Sequence, residues 1–476
     1  MSDSRGYSLK QIAKYPFIYA RNTKIGIFLM CIAIATGLTF FLGDDDFVRT
    51  QYIVLFLLFF SMLLWFTEAI PPFAVGIFIV GYLIFFMGRE GTMDVHQYVQ
   101  TWSDGVIWLF LGGFFLAEAM RKTRLDIRLL IITAPRFGDK AKYIILGLMF
   151  VTAILSMVMS NTATTAMMLA TVTPLFSKID NKSLQKAFLL GIPTAAAIGG
   201  MGTIIGSAPN AIAVGALEAI GIKISFLQWM SVGVPVALLL TFMTWKLLLN
   251  KYKLGELKLS TDFIKDLERK KDHKKEEKLQ KRIVLIVLTL TIFLWLTSQW
   301  TGIPVAAVSG IPIVALTMMG IIDADDVRKL PWDTLMLVAG GLALGIALQE
   351  QELALYFISK ITVFNFNVYL LLVLFSLLTV ALSNFMSNTA ATTILVPVAI
   401  SLISIYGDVN PILFTMVIGL SASCALLLPV STPPNAIVYS TGLVEQSEFR
   451  LAGFFIGFTG PVVIILWTLL LTFLFF

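Results

Sequence analysis

Apolar residues run through this chain in blocks, separated by short polar connections, and the blocks are too long for strands. Several approach the roughly 20 residues an α-helix needs to cross a bilayer. Plain spans are expected at Ile25–Leu42, Tyr52–Phe66, Pro72–Met87, Val106–Met120 and Trp229–Leu249. In the second half they are expected at Val284–Leu296, Val305–Ile322, Leu335–Ala347 and Phe454–Phe476. Four further runs are interrupted. Two carry a polar knot in mid-run, Ala141–Phe176 and Val368–Ile405. Two are broken by small, polar and proline residues, Ala187–Gly200 with Ala211–Gly221, and Ile412–Leu428 with Ala436–Gly442.

The interruptions repeat. Ser160-Asn161-Thr162-Ala163-Thr164-Thr165 returns 227 positions later as Ser387-Asn388-Thr389-Ala390-Ala391-Thr392-Thr393. A second break follows each copy, Gly206-Ser207-Ala208-Pro209-Asn210 and Ser431-Thr432-Pro433-Pro434-Asn435. The interval from motif to the Asn of the break is 50 residues in one copy and 48 in the other. Upstream, Trp102 with Gly112-Gly113 is matched by Trp332 with Gly340-Gly341. The chain is a duplication.

Flanking charge gives the topology. Residues 1–24 are polar and basic (Arg5, Lys10, Lys14, Arg21) and fit an interfacial helix or a solvated tail; the first span then exits into Asp44-Asp45-Asp46. A basic start and an acidic finish place the N-terminus in the cytoplasm. The Asp triplet lacks the spaced carboxylates of a calcium loop. Arg121–Arg128 reads as a helix on the cytoplasmic surface. Lys140 and Lys142 precede the first knotted run and Lys178 and Lys182 follow it, so both its ends belong on one face. Such a run is a re-entrant hairpin with its knot at the buried tip, where non-helical backbone is tolerated only in protein or beside a cavity. Residues 25–250 hold the first span and repeat 1, 251–282 form a charged cytoplasmic linker, and 283–476 form repeat 2. The count is about eleven transmembrane helices, with the C-terminus outside. An odd number per repeat inverts the second against the first, so the second hairpin dips from the outside. The fold class is an all-α polytopic membrane protein of two inverted repeats, two re-entrant hairpins and two broken helices.

Composition agrees. The 476 residues are 58% hydrophobic and 13% charged, about half the charge of a soluble chain, and mean hydropathy is +0.87. The net charge of +6 is accounted for by the basic N-terminus and the linker. The linker alternates in sign without interleaved aromatics, so no nucleic-acid partner is implied. Cys31 and Cys424 sit in apolar runs and form no disulfide framework. His96 and His273 lie in polar connections without partners at metal spacing. The first apolar run begins only near Ile25 and reads as a retained span, not a cleaved signal peptide. Glu68, Glu118 and Glu350 fall near span ends, where a snorkelling or solvated carboxylate is the default. The Gly-Gly pairs read as close helix packing, since no lysine follows them as in a phosphate loop.

Inverted repeats with discontinuous helices point to a secondary transporter whose site lies between the repeats. At a hairpin tip the ending helix offers free carbonyls to a small cation, and the beginning helix offers free amides to an anion. Ser, Asn and Thr supply hydroxyl and carboxamide groups that serve either. The four motif regions contain no carboxylate and no basic residue. An anion there needs helix N-termini and co-bound cations. A membrane-embedded enzyme would need an acid–base or metal constellation that this sequence does not offer. A channel would need a continuous polar path, whereas the polar groups gather at two points.

The paired Ser-Asn-Thr motifs with their downstream Pro-Asn breaks resemble the divalent anion/sodium symporter family, over nearly the whole chain. The resemblance implies a homodimer in a plasma or bacterial inner membrane, with a scaffold and a transport domain that moves as an elevator. It implies that Ser160, Asn161, Thr162, Ser387, Asn388 and Thr389 hold substrate carboxylates, helped by Ser207, Thr432 and Pro433. One sodium site would use Ser156, Ser160, Asn161 and the Gly206 backbone. The other would use Ser383, the Met386 carbonyl, Asn388 and the Ser431 backbone. Related sequences often have Thr where this one has Ser383; losing that methyl leaves the hydroxyl in place. With both tripeptides intact, the sequence resembles the dicarboxylate branch: sodium-coupled symport of succinate, malate or fumarate, with no organic cofactor. Sodium-independent dicarboxylate exchange and sodium-coupled citrate or sulfate transport are the alternatives.

Overall fold

A computed structural model describes residues 14–90, 95–176, 181–254, 275–353, 356, 367–403 and 410–475. Among the described residues the chain is helical throughout, without strands, and nine helices are long and apolar enough to cross a membrane. Most of the interfacial segment expected over residues 1–24, His273 and most of the expected linker lie outside the described residues.

The first half comprises α1 (Lys14–Leu42), α2 (Arg49–Thr67), α3 (Pro72–Glu90), α4 (Gly105–Lys122), α5 (Leu125–Thr133), α6 (Ala141–Ser156), α7 (Asn161–Phe176), α8 (Lys182–Gly199), α9 (Ala208–Ala219) and α10 (Phe226–Tyr252). The second comprises α11 (Lys275–Leu296), α12 (Val305–Met318), α13 (Trp332–Glu350), α14 (Val368–Phe385), α15 (Asn388–Ile403), α16 (Pro411–Ala422), α17 (Pro433–Ser440) and α18 (Gln446–Phe475). Shorter helical turns lie between several of them.

The two knotted runs are helical hairpins, α6–α7 and α14–α15, each turning at its Ser-Asn-Thr. The first returns to the face it left. Lys142, at the start of α6, accepts through its carbonyl from Trp245 Nε1 at 2.8 Å, near the end of α10. Phe176, at the end of α7, accepts from Gln185 Nε2 at 3.0 Å, at the start of α8. Lys186, one residue on, pairs with Glu448 at 2.9 Å, and Tyr252 at the end of α10 donates to the same carboxylate at 3.4 Å. These bonds tie both ends of the hairpin to one end of the bundle.

The broken helices differ from the expected boundaries. In the first, α8 ends at Gly199 and two 3-10 turns carry the chain to α9. In the second, α16 stops at Ala422, so the apolar stretch Cys424–Leu428, expected to be helical, is not. Asn384 Oδ1 accepts from Leu427 N at 2.9 Å, which satisfies an amide the helix would have used. Gly453 lets that strand of backbone lie against α18: a Cβ there would sit 2.3 Å from Leu427 Cα. A side-chain carboxamide thus replaces the helical acceptor, and hydropathy cannot register it.

The halves pack reciprocally. By order in the repeats, α3 corresponds to α12 and α4 to α13. The observed partners are α3 with α13 and α4 with α12. Likewise α7 packs on α17 and α15 on α9. The Gly-Gly pairs make the first contacts possible. A Cβ on Gly340 would lie 2.3 Å from Gly76 Cα, and one on Gly112 would lie 2.7 Å from Ser309 Cβ. Helix axes this close require glycine on at least one side. The end-to-end bonds fit strict alternation of spans: Lys122 pairs with Asp323 at one end, and Gln299 bonds Gln228 at the other. Glu350 is exposed, as a snorkelling or solvated carboxylate at a span end would be, and it also accepts from Gln97 and Tyr98.

Candidate functional site

The reciprocal packing brings both hairpin tips and both breaks to one cavity of about 360 Å³. Ser160, Asn161, Thr162, Ser207, Ser387, Asn388, Thr389, Thr432 and Pro433 all line it. Phe110 and Phe114 of α4, Pro72 and Phe73 of α3, and Pro331, Asp333, Thr334 and Leu337 around the start of α13 complete the opposite wall.

Helix polarity dominates the site. The lining residues are the first residues of four helices: α7 from Asn161, α9 from Ala208, α15 from Asn388 and α17 from Pro433. Four N-termini from the copied motifs therefore meet one cavity, with the starts of α3 and α13 on the opposite wall, and each brings unpaired amides and about half a positive charge. The sequence builds these starts locally. Ser160 Oγ accepts from Ala163 N and Ser387 Oγ from Ala390 N, both at 3.2 Å. Thr432 Oγ1 accepts from Asn435 N at 3.4 Å, and prolines in the first turns of α9 and α17 fix φ where no amide is needed. Each cap uses one amide and leaves others for a ligand. A gap between four such ends favours an anion without a cationic side chain.

The asparagines of the breaks hold this geometry open. Asn210 Nδ2 donates to the Gly200 and Thr203 carbonyls at 2.8 Å each, stapling the first break. Asn435 Nδ2 reaches the Leu428 carbonyl at 3.2 Å in the second.

The residues expected at cation sites behave differently in the two repeats. In the first, Ser156 Oγ donates to Asn161 Oδ1 at 2.6 Å. Gly200 and Gly206 lie against them: a Cβ on Gly200 would be 2.6 Å from Asn161 Oδ1, and one on Gly206 would be 3.1 Å from the Ser156 carbonyl. Ser160 lines the cavity and caps α7. In the second, Ser383 Oγ and Asn388 Oδ1 are buried with no hydrogen-bond partner among the described residues. Met386 follows the end of α14 with extended backbone, and Ser431 turns its hydroxyl back onto the Leu428 carbonyl at 2.8 Å. Helix C-termini (α6, α14) and neutral oxygens are what a small hard cation accepts, and orphaned buried oxygens in the second repeat fit such an ion.

Sequence reasoning missed the opposite wall, Asp333 and Thr334 above all. The repeated Trp with its downstream Gly-Gly was the signal that could have found it, because Asp333 directly follows Trp332.

The family model described as "sodium:sulfate symporter transmembrane region" matches residues 23–475. The chain is 31% identical over 435 residues to the sodium-dependent dicarboxylate transporter SdcS of Staphylococcus saprophyticus, covering 84% of this chain and 82% of that protein. It is 28% identical over 487 residues to the SdcS of Staphylococcus aureus, covering 96% and 92%. Among solved structures it resembles Neisseria gonorrhoeae MtrF, described as an antimetabolite efflux pump, at TM-score 0.56 and 11% identity over 86% of this chain and 96% of that one. It also resembles the Alcanivorax borkumensis YdaH transporter at TM-score 0.56 and 14% identity over 82% and 89%. Those two likenesses bear on fold alone.

Proposed function

Since the chain belongs to the sodium:sulfate symporter family, the divalent anion/sodium symporters, and is a membrane transporter, we propose that it couples sodium to uptake of C4-dicarboxylates such as succinate, malate and fumarate. The observation that carries this reading is the meeting of the four helix N-termini of the copied motifs at a cavity lined, among the described residues, by no cationic side chain. A dicarboxylate has two anionic ends, and the duplicated tips offer two matching amide clusters. Ser160, Asn161 and Thr162 take one carboxylate, and Ser387, Asn388 and Thr389 the other. Ser207, Thr432 and Pro433 close the sides.

Sodium occupies the paired sets Ser156, Ser160, Asn161 and Gly206, and Ser383, Met386, Asn388 and Ser431. Its charge lies behind each tip and offsets the dianion, which is the physical basis of coupling: neither ligand is well held alone. The names of the staphylococcal relatives support sodium and a dicarboxylate. The inverted topology is supported by the reciprocal packing of the halves. We assign residues 25–250 and 283–476 to the two repeats and 251–282 to the linker, with the N-terminus and linker cytoplasmic and the C-terminus outside. The hairpins and broken helices form the moving transport domain of an elevator in a homodimer in the cell membrane, and α3, α4, α12 and α13 belong to its scaffold.

The test is uptake of labelled succinate into proteoliposomes under an inward sodium gradient, with potassium in place of sodium, and with succinate preloaded. Accumulation only with sodium supports the reading. Uptake only into preloaded vesicles, indifferent to sodium, refutes symport in favour of exchange. Uptake of citrate or sulfate without succinate refutes the substrate assignment.

A further inference from the structure

Among the described residues, Asp333 is the one ionisable side chain lining the cavity. It stands in the first turn of α13, across from the hairpin tips, exposed to the cavity space. No hydrogen bond or ion pair engages its carboxylate among the described residues. A site built from helix N-termini thus faces one negative charge with no cationic partner, offset only by the start of its own helix. For an anion-binding cavity this is an electrostatic cost, and the cost grows with the charge of the ligand.

The duplicated scaffold holds a counterpart. Counting back from the Gly-Gly pairs, the start of α4 corresponds to the start of α13. There Asp104 caps α4, accepting from Val106 N at 2.8 Å. Asp104 lines a second cavity, of about 680 Å³, with Gly105, Pro304 and Val305 at the starts of α4 and α12. Those helices are the repeat counterparts of α13 and α3, whose starts wall the first cavity. Each of the two cavities therefore has an aspartate at the start of a Gly-Gly helix.

We propose that Asp333 is a charge-selecting residue: resting on the reading that the cavity binds a dicarboxylate, its carboxylate tolerates a dianion and disfavours a trianion of similar size. Every ligand charge meets the same fixed charge, so the penalty in log affinity is proportional to ligand charge. At a separation of about 8 Å in a water-filled cleft, this is roughly twofold per unit charge. A residue that served only to start α13 would alter all ligands alike.

The experiment measures sodium-dependent binding of a monocarboxylate, succinate and citrate to purified wild type, Asp333→Asn and Asp333→Glu, at a pH where each acid is fully ionised. For Asp333→Asn the expected gain is about twofold for the monoanion, fourfold for succinate and eightfold for citrate. Asp333→Glu should keep the wild-type order. In wild type, raising ionic strength with choline chloride at fixed sodium should narrow the gap between succinate and citrate. An equal gain for all three ligands, or none, with wild type still binding succinate, overturns the proposal alone. Failure of wild type to bind any dicarboxylate overturns the underlying reading and the proposal with it.

Discussion

Removing one hydroxyl from each repeat should have opposite consequences when sodium is withheld. Ser383 Oγ is buried without a partner, and a buried polar group left unpaired costs about 1–3 kcal/mol. Ser383→Ala removes that cost, because the hydroxyl contributes no bond to lose. Ser156 Oγ instead donates to Asn161 Oδ1 at 2.6 Å. Ser156→Ala therefore forfeits about 1 kcal/mol and leaves the carboxamide oxygen short of a donor. In choline buffer, Ser383→Ala should unfold at or above the wild-type temperature and Ser156→Ala below it.

Sodium should reverse the first of these effects. A ligand that binds only the folded state raises its stability in proportion to occupancy. Losing one of a few oxygen ligands, at about 1.4 kcal/mol, is a tenfold loss of affinity. Ser383→Ala should accordingly need about tenfold more sodium for the same thermal shift, and the wild type should overtake it as sodium is added. Thermal unfolding of the detergent-solubilised protein across a sodium titration reads both quantities. If Ser383→Ala is destabilised in choline as much as Ser156→Ala, or keeps the full sodium shift, the orphaned hydroxyl is not a cation ligand and the reasoning fails.

Asn161→Ala and Asn388→Ala should each abolish succinate uptake, since each removes a carboxamide at a tip; near-normal uptake by either variant would remove it from the site. Gly340→Ala should strongly lower the yield of folded protein, because its Cβ would lie 2.3 Å from Gly76 backbone and overpacking costs about 1–3 kcal/mol or more. Gly310→Ala, with nothing within 4 Å of the added Cβ, should be silent, and size-exclusion profiles compare the two. Burial pushes the Asp126 carboxyl up to about 6, against the opposing Arg121 and Arg124, so the folded state holds a proton that the unfolded state releases. Stability should fall as pH rises from about 4 through 6 and stay level above. Asp126→Asn should flatten that profile and gain up to about 3 kcal/mol at pH 7.5; an unchanged pH profile of the unfolding temperature would count against the assignment.

The parts of the fold that were legible were those written as local contrast. Each hairpin is an apolar run with a polar knot, and the helix ends at 156 and 385 fall beside Ser160 and Ser387 because a Ser can cap the next helix there. The second break was misjudged where local contrast vanishes. Cys424–Leu428 is as apolar as any helix, yet its backbone is held by Asn384 from another helix. The Gly-Gly pairs announced close packing, but not that Gly340 lies on Gly76 while Gly112 lies on Ser309. Asp333 escaped for a related reason: it joins the site across the reciprocal packing, from outside the copied motifs.

Duplication supplies matching geometry but not matching energetics. Both tips present Ser-Asn-Thr at helix starts, so the cavity receives near-equivalent amides from both repeats. Behind the tips the equivalence ends. Gly200 and Gly206 let the first carboxamide sit against bare backbone, where Ser156 bonds it. The corresponding break in the second repeat contains Ser423 and Ser431 instead. Ser431 bonds its own turn, while Ser423 Oγ, Ser383 Oγ and Asn388 Oδ1 stay buried and unpaired. Unpaired oxygens are tolerated where something else completes them. The first repeat has its own unpaired oxygens, on Thr164, Thr165 and Asn210, so the difference lies in the expected cation ligands themselves. Ser156 and Asn161 bond each other while Ser383 and Asn388 stay unpaired, which is why the serine-to-alanine pair distinguishes the two sets when substrate uptake would not.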